Sequence, residues 1–180
     1  MKYEFTGEEK SFFGITLKRI RAIRDIKKYG VKVGDVGGWI EKEENLSQSG
    51  DAWVYGNARV YGDALVYGDA RVCGNARVFG NAQVRGDVLV YGDAWVGSPL
   101  YIQGRAYSFS ACTKNKIKIG CQIHSFSAWK RNWKRIAKEN DFPKESWKEY
   151  ALYFNLACDL YGKEKYKIDL KEVERADDEC

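Results

Sequence analysis

The chain has 180 residues, 44% of them hydrophobic and 31% charged, with a formal net charge of +5. That balance is ordinary for a folded domain and allows an anionic partner without requiring one. Eighteen glycines against two prolines, with 14% aromatic residues, exclude a disordered linker and point to packed or contacting surfaces. No apolar run is long enough to span a bilayer. The opening MKYEFTGEEK lacks the charged-then-apolar order of a secretory signal, so a cytoplasmic protein without a membrane partner is expected. The five cysteines (Cys73, Cys112, Cys121, Cys158, Cys180) show no C-x-x-C spacing, and His124 is the single histidine. Neither a disulfide framework nor a zinc site is therefore expected, and no cofactor is implied.

Residues 1–33 read as an N-terminal β cap. Alternation over 15–26 predicts one or two strands, with the basic residues between Lys18 and Lys32 forming a solvated face. The segment Gly34-Asp35-Val36-Gly37-Gly38-Trp39-Ile40 then leads into a repeat.

From Ala52 the sequence runs AWVYGN, ARVYGD, ALVYGD, ARVCGN, ARVFGN, AQVRGD, VLVYGD, AWVGSP. Alanine and valine lie two residues apart in each hexad, so both face the same side of a short strand and the residue between them faces out. Gly-Asn or Gly-Asp follows as a turn, because both residue types tolerate positive φ. Every strand has the same inward register, which excludes a hairpin meander and favours a coil of three hexads per turn. The turn residues (Asn57, Asp63, Asp69, Asn75, Asn81, Asp87, Asp93) read as side-chain ladders rather than a calcium site. Val54-Tyr55-Gly56-Asn57-Ala58 resembles the hexapeptide-repeat family, whose fold is the left-handed parallel β-helix.

Steps of six from Ala52 reach back to Leu46 and Ile40, and steps forward from Ala94 reach Leu100 and Ala106, while Ile102 continues the valine register. A solenoid over 34–112, roughly four turns long, is predicted. Its interior of alanine and valine is too narrow for a ligand, so function must sit outside. A full turn of 18 residues sorts the outward positions into three faces. The first carries Trp53, Arg71 and Leu89, with Tyr55, Cys73 and Tyr91 at its corner. The second carries Arg59, Arg77 and Trp95, with Tyr61, Phe79 and Gly97. The third carries Leu65, Gln83 and Tyr101, with Tyr67, Arg85 and Gln103.

Residues 113–180 read as a C-terminal helical cap and tail. A basic amphipathic helix is predicted over 127–138, with Trp129, Trp133, Ile136 and Ala137 on one side. A second, aromatic-rich helix is predicted over 144–160 and ended by Gly162. From about Lys163 the chain reads as loosely ordered, up to the acidic Asp177-Asp178-Glu179.

The second face is the candidate ligand site. Arg59 and Arg77, flanked by Tyr61, Phe79 and Trp95, offer charge-assisted bonds to phosphate and π-faces to a base. The same residue types also suit a subunit contact, and Trp53, Arg71, Tyr55, Tyr91, Trp129 and Trp133 are the candidate interface of a homo-oligomer, a trimer being favoured. Cys73 reads as a substitution at a corner held elsewhere by Tyr or Phe, not as a nucleophile.

The chain as a whole resembles a group of phage- and prophage-encoded hexapeptide-repeat proteins. The resemblance rests on Leu17-Lys18-Arg19-Ile20-Arg21-Ala22 with Gly37-Gly38-Trp39-Ile40, on Glu44-Asn45-Leu46-Ser47, and on Ile119-Gly120-Cys121 with His124 and Trp129. It implies a protein of the host cytoplasm that binds and neutralises a host defence component, either a protein or an anionic nucleotide signal, with no duplex nucleic acid as partner. Acyltransferases using acyl-CoA are a second implication of the hexapeptide-repeat family, and a structural phage protein is a third. The family's enzymes place a histidine near a subunit boundary within the coil, whereas His124 lies beyond the repeats. No catalytic residue is therefore assigned.

Overall fold

The computed structural model describes residues 1–178, and Cys180 lies outside them. The chain divides into two units, Met1–Pro99 and Leu100–Cys180.

The first unit begins with an antiparallel hairpin of β1 (Tyr3–Phe12) and β2 (Ile15–Ala22). Its first strand was not predicted, because its polar positions hide the alternation. A short 3-10 turn at Lys27–Tyr29 leads to β3 (Val36–Ile40), which pairs antiparallel with β2 and parallel with the repeats. The repeats supply β4 (Trp53–Val54), β5 (Arg59–Val60), β6 (Leu65–Val66), β7 (Arg71–Cys73), β8 (Arg77–Val78), β9 (Gln83–Val84), β10 (Leu89–Tyr91) and β11 (Ala94–Trp95). They wind into a β-solenoid of about three turns. The strands stack as β3-β5-β8-β11, β4-β7-β10 and β6-β9, the three faces that a turn of 18 residues predicts.

One bond pattern repeats along the coil. Amides of the outward residues Trp53, Arg59, Leu65 and Arg71 donate to Ala70, Ala76, Ala82 and Val88 one turn on, at 2.8–3.0 Å. Inside, every valine from Val54 to Val90 and every alanine from Ala52 to Ala82 is at most 1% exposed. Burial of each valine is worth roughly 1.5–3 kcal/mol. The alanine and valine side chains therefore face the interior, as the sequence predicts. Corner glycines close the turns: Gly68 has φ +68, and a Cβ on it would lie 3.1 Å from the Gly86 amide nitrogen.

Two register changes depart from the six-residue phase. Ile40 pairs with Val60 and Leu46 with Val66, which puts both in the valine register and not the alanine register. Eight residues, not six, separate Leu46 from Val54, and a slip of two keeps each side chain on its face. The longer 47–51 loop is pinned from the N-terminus: Lys2 Nζ donates to the Ala52 carbonyl at 2.7 Å, and Gln48 Oε1 accepts from the Lys2 amide at 2.7 Å.

At the other end the slip is one residue. Ala94 pairs with Arg77 and Trp95 with Val78, and Asp93 takes the carbonyl role that Ala76 plays one turn earlier. An odd slip exchanges the two faces. Trp95, expected outside, stands in the valine register and is buried, while Val96 is 67% exposed. The parallel stack ends there, short of the predicted boundary at residue 112, because Pro99 and the lost phase give no further strand in register.

In the second unit, β12 (Tyr101–Gln103), β13 (Ser108–Thr113), β14 (Lys116–Ile119) and β15 (Gln122–Ser125) form an antiparallel sheet in that order. Tyr101, Ile102 and Gln103 belong to this sheet and not to the solenoid faces. Helix α1 (Phe126–Glu139) is N-capped by Ser125, whose hydroxyl accepts from the Ala128 amide. After a 3-10 turn at Lys144–Ser146 comes α2 (Trp147–Leu160), closed by Gly162 at φ +63. The tail, expected to be loose, forms α3 (Leu170–Asp178). Asn155 of α2 anchors the segment before it, accepting from the Ile168 amide at 2.8 Å and donating to the Ile168 carbonyl at 2.9 Å. Val173 is buried, and Lys148–Glu174 and Lys134–Glu172 are ion-paired. Such contacts are non-local and leave little trace in a charged nine-residue window. No helix of the described residues is long and apolar enough to cross a membrane.

Candidate functional site: a cation and aromatic face on the first sheet

Across β2, β3, β5 and β8, the residues Arg19, Trp39, Arg59 and Arg77 are register partners. Strand alternation therefore puts all four on one face, opposite the buried Ile40, Val60 and Val78. Neighbouring strands lie about 4.8 Å apart, so Arg59 and Arg77 are like charges placed side by side, an arrangement that costs stability unless something offsets it.

Rings offset part of that cost. The Arg59 guanidinium carbon lies 4.3 Å from the Phe12 ring centroid, and Arg19 and Lys10 lie 4.9 and 3.8 Å from the Trp39 ring. Two residues along the strands, Tyr61 and Phe79 stack with centroids 5.0 Å apart and planes within 4°. Phe12 meets Tyr61 edge-on at 5.8 Å. The hairpin thus lays its tip residues beside the first turns of the coil.

Among the described residues, the charges themselves have no acidic partner. Some other basic residues of this unit are ion-paired: Arg21 with Glu4 at 2.5 Å, Lys28 with Asp69 at 2.6 Å, Lys42 with Asp63 at 3.1 Å. Among the described residues, no ion pair reaches Lys10, Arg19, Arg59 or Arg77. The Nε atoms of Arg19 and Arg59 are buried without a hydrogen-bond acceptor. Burial, with Arg59 and Arg19 nearby, pushes the Lys10 ammonium down to about 8. Four cations share the patch, and aromatic edges flank it. Chemically, positive charge beside aromatic faces is a combination that can attract an anion with a planar part.

Four of the five predicted ligand residues meet here: Arg59, Arg77, Tyr61 and Phe79. Trp95 does not, because the one-residue slip turns it into the core. Lys10, Phe12, Arg19 and Trp39 were missed. Trp39 was accessible in principle, since the two-residue slip places it one turn before Arg59. Lys10 and Phe12 arrive through hairpin pairing, which no local pattern encodes.

The predicted interface face keeps its stack of Trp53, Arg71 and Leu89, but much of it is covered by the chain itself. Trp53 is buried under the Tyr3 ring, 6.5 Å away and edge-on, and so offers no surface to a partner. Arg71 lies 4.7 Å from the Tyr29 ring, whose hydroxyl donates to the Asp69 carbonyl. Tyr55 and Tyr91 stay half-exposed, and burial pushes the Tyr55 phenol up to about 12. In the second unit Trp129 is buried, its indole donating to the Ile117 carbonyl at 2.9 Å, which removes it from any interface. Trp133 is half-buried, edge-on to Trp147.

The remaining reactive side chains sit apart from this face. His124, on β15, packs edge-on against Trp129, and burial with Arg135 nearby lowers its pKa, which favours the neutral form. Cys73 directs its thiol to the Val90 carbonyl, and burial raises its pKa, which fits an inert corner residue. No three His, Cys, Asp or Glu side chains gather as a metal-ligand set among the described residues.

A family model described as the YdcK beta solenoid repeat matches residues 52–68, 58–72 and 70–86, the heart of the repeat block. No curated protein matches the chain. Matched repeats and parallel ladders together make this a repeat β-solenoid protein.

Proposed function

We propose that the chain is a non-enzymatic binding protein whose site is the Lys10–Arg19–Arg59–Arg77 face, and whose ligand is a phosphate-bearing nucleotide. The observation that carries this reading is the cluster of four cations without an acidic partner, set among Trp39, Phe12, Tyr61 and Phe79. A lumen lined by alanine and valine supports it further, because it leaves recognition to the outer walls. Phosphate would answer the guanidinium groups, and a base would lie against the aromatic edge. In the phage-type setting that the sequence resemblance suggests, such a protein sequesters a host defence signal in the host cytoplasm. We include self-association in the proposal: Leu152, Leu156 and Leu160 form an exposed apolar stripe on α2, suited to a second copy.

The test is calorimetry of the full chain with adenine mononucleotides and cyclic dinucleotides, with pyrophosphate as an anion lacking a base. Arg59→Ala with Arg77→Ala should weaken nucleotide binding at least tenfold, since charge-assisted bonds contribute roughly 1.5–3 kcal/mol each. Affinity should hold below pH 8 and fall above it as Lys10 loses its proton, and Lys10→Met should flatten that dependence. Nucleotide recovered intact after the complex is heated supports sequestration; nucleotide recovered as a product makes the protein an enzyme. Equal affinity in the double arginine variant sinks the site. Light scattering of wild type and Leu156→Glu tests the self-association.

A further inference from the structure

The second unit contains a partly open cavity of about 130 Å³. Its wall is formed by three indoles, Trp129, Trp133 and Trp147, with Phe142, Ile136 and Phe154. No charged side chain lines it. The lining surface is overwhelmingly apolar, and several of its polar atoms are engaged within the unit. Trp129 Nε1 donates to the Ile117 carbonyl, Trp147 Nε1 to the Phe142 carbonyl at 3.2 Å, and Tyr150 donates its hydroxyl to the Tyr107 carbonyl at 2.5 Å. Gln122 and Asn140, which contribute amides to the same wall, are bonded to each other at 2.7 Å.

A water molecule needs two to four polar partners to be held in such a place, and this wall offers little polar surface to supply them. The space therefore favours an apolar occupant over solvent. Its size sets the class: an apolar cavity of about 150 Å³ admits benzene, whereas drug-sized ligands need about 300 Å³ or more. The edge-on contact of Trp133 with Trp147, centroids 5.5 Å apart, shows that the wall already sustains the geometry an additional ring would adopt.

We propose that this cavity is a second binding site, independent of the basic face, for a small uncharged ligand the size of a single aromatic ring. The site lies wholly within residues 107–168.

The full chain would be titrated with toluene and with indole, followed by calorimetry and by tryptophan fluorescence, with benzoate as the charged analogue of toluene. Saturable one-to-one binding of toluene is expected, with benzoate at least tenfold weaker because no cation in the wall receives its carboxylate. Ala137→Phe, at a half-buried wall position, and Ala151→Leu, deeper on α2, each fill the space and should weaken toluene binding at least tenfold while the thermal transition persists. If one variant fails to fold, the other decides. Arg59→Ala with Arg77→Ala should leave toluene binding unchanged, which separates this site from the nucleotide reading. Absence of saturable toluene and indole binding, or unchanged affinity in the folded cavity-filling variants, overturns the proposal.

Discussion

The two units bury apolar surface in opposite ways. In the solenoid, small side chains of alanine and valine stack in register, so the interior is lined by repetition. In the second unit, large aromatic side chains from one sheet and two helices meet without a repeat, and a cavity of about 130 Å³ remains. Identical small groups fit one another at every level, whereas indoles and phenyl rings of different orientation fit only where each pair has been adjusted. On the proposed reading, recognition by the solenoid falls to its outer faces, and the pocket of the second unit takes a small guest.

That contrast can be broken first at the start of the coil. Asn45 is fully buried and stands in for backbone: its Oδ1 accepts from the Glu41 and Lys42 amides, and its Nδ2 donates to the Gly62 and Ala64 carbonyls. Asn45→Leu should cost about 2–4 kcal/mol by urea unfolding, since several buried polar groups lose their partner at once. A cost below about 1 kcal/mol would mean that the first turn is not held by this side chain.

A smaller effect is expected at a corner. Gly68→Ala meets both positive φ and the Gly86 amide nitrogen at 3.1 Å, and should cost about 1–2 kcal/mol. Gly162→Ala, also at positive φ but with open space around a Cβ, should cost only the φ penalty of about 1 kcal/mol. The difference between the two measures how tightly stacked turns sit compared with a helix end.

The smallest effect is a slope against pH. Burial, with Arg24 nearby, pushes the fully covered Lys2 ammonium down from 10.5 to about 8. Between those values the unfolded chain binds more protons than the folded one, so this group adds stability as pH rises from about 8 to 10.5 and loses it as pH falls back through 8. The stability of wild type relative to Lys2→Met, followed by chemical denaturation from pH 7.5 to 10, should therefore climb. A flat difference would show that Lys2 is solvated.

Much of this molecule is written in its hexads. The alternation of alanine and valine, the glycine corners and the 18-residue turn are local, and they determine the parallel stack, the apolar lumen and the neighbourhood of Arg59, Arg77, Tyr61 and Phe79. Helices α1 and α2 are equally legible, because amphipathic spacing and a Ser or Gly at the ends act within a few residues. Only the tertiary structure decided the rest. A one-residue slip at Ala94 sends Trp95 inward, a two-residue slip brings Trp39 beside Arg59, and the hairpin brings Lys10 and Phe12 to the same face. In the second unit, antiparallel pairing of successive strands turns residues 101–125 into a sheet separate from the coil, and Asn155 anchors the segment leading to α3. Register has this effect because strand side chains alternate: one residue more or less exchanges inside for outside, and the partner that sets the count lies a full turn away.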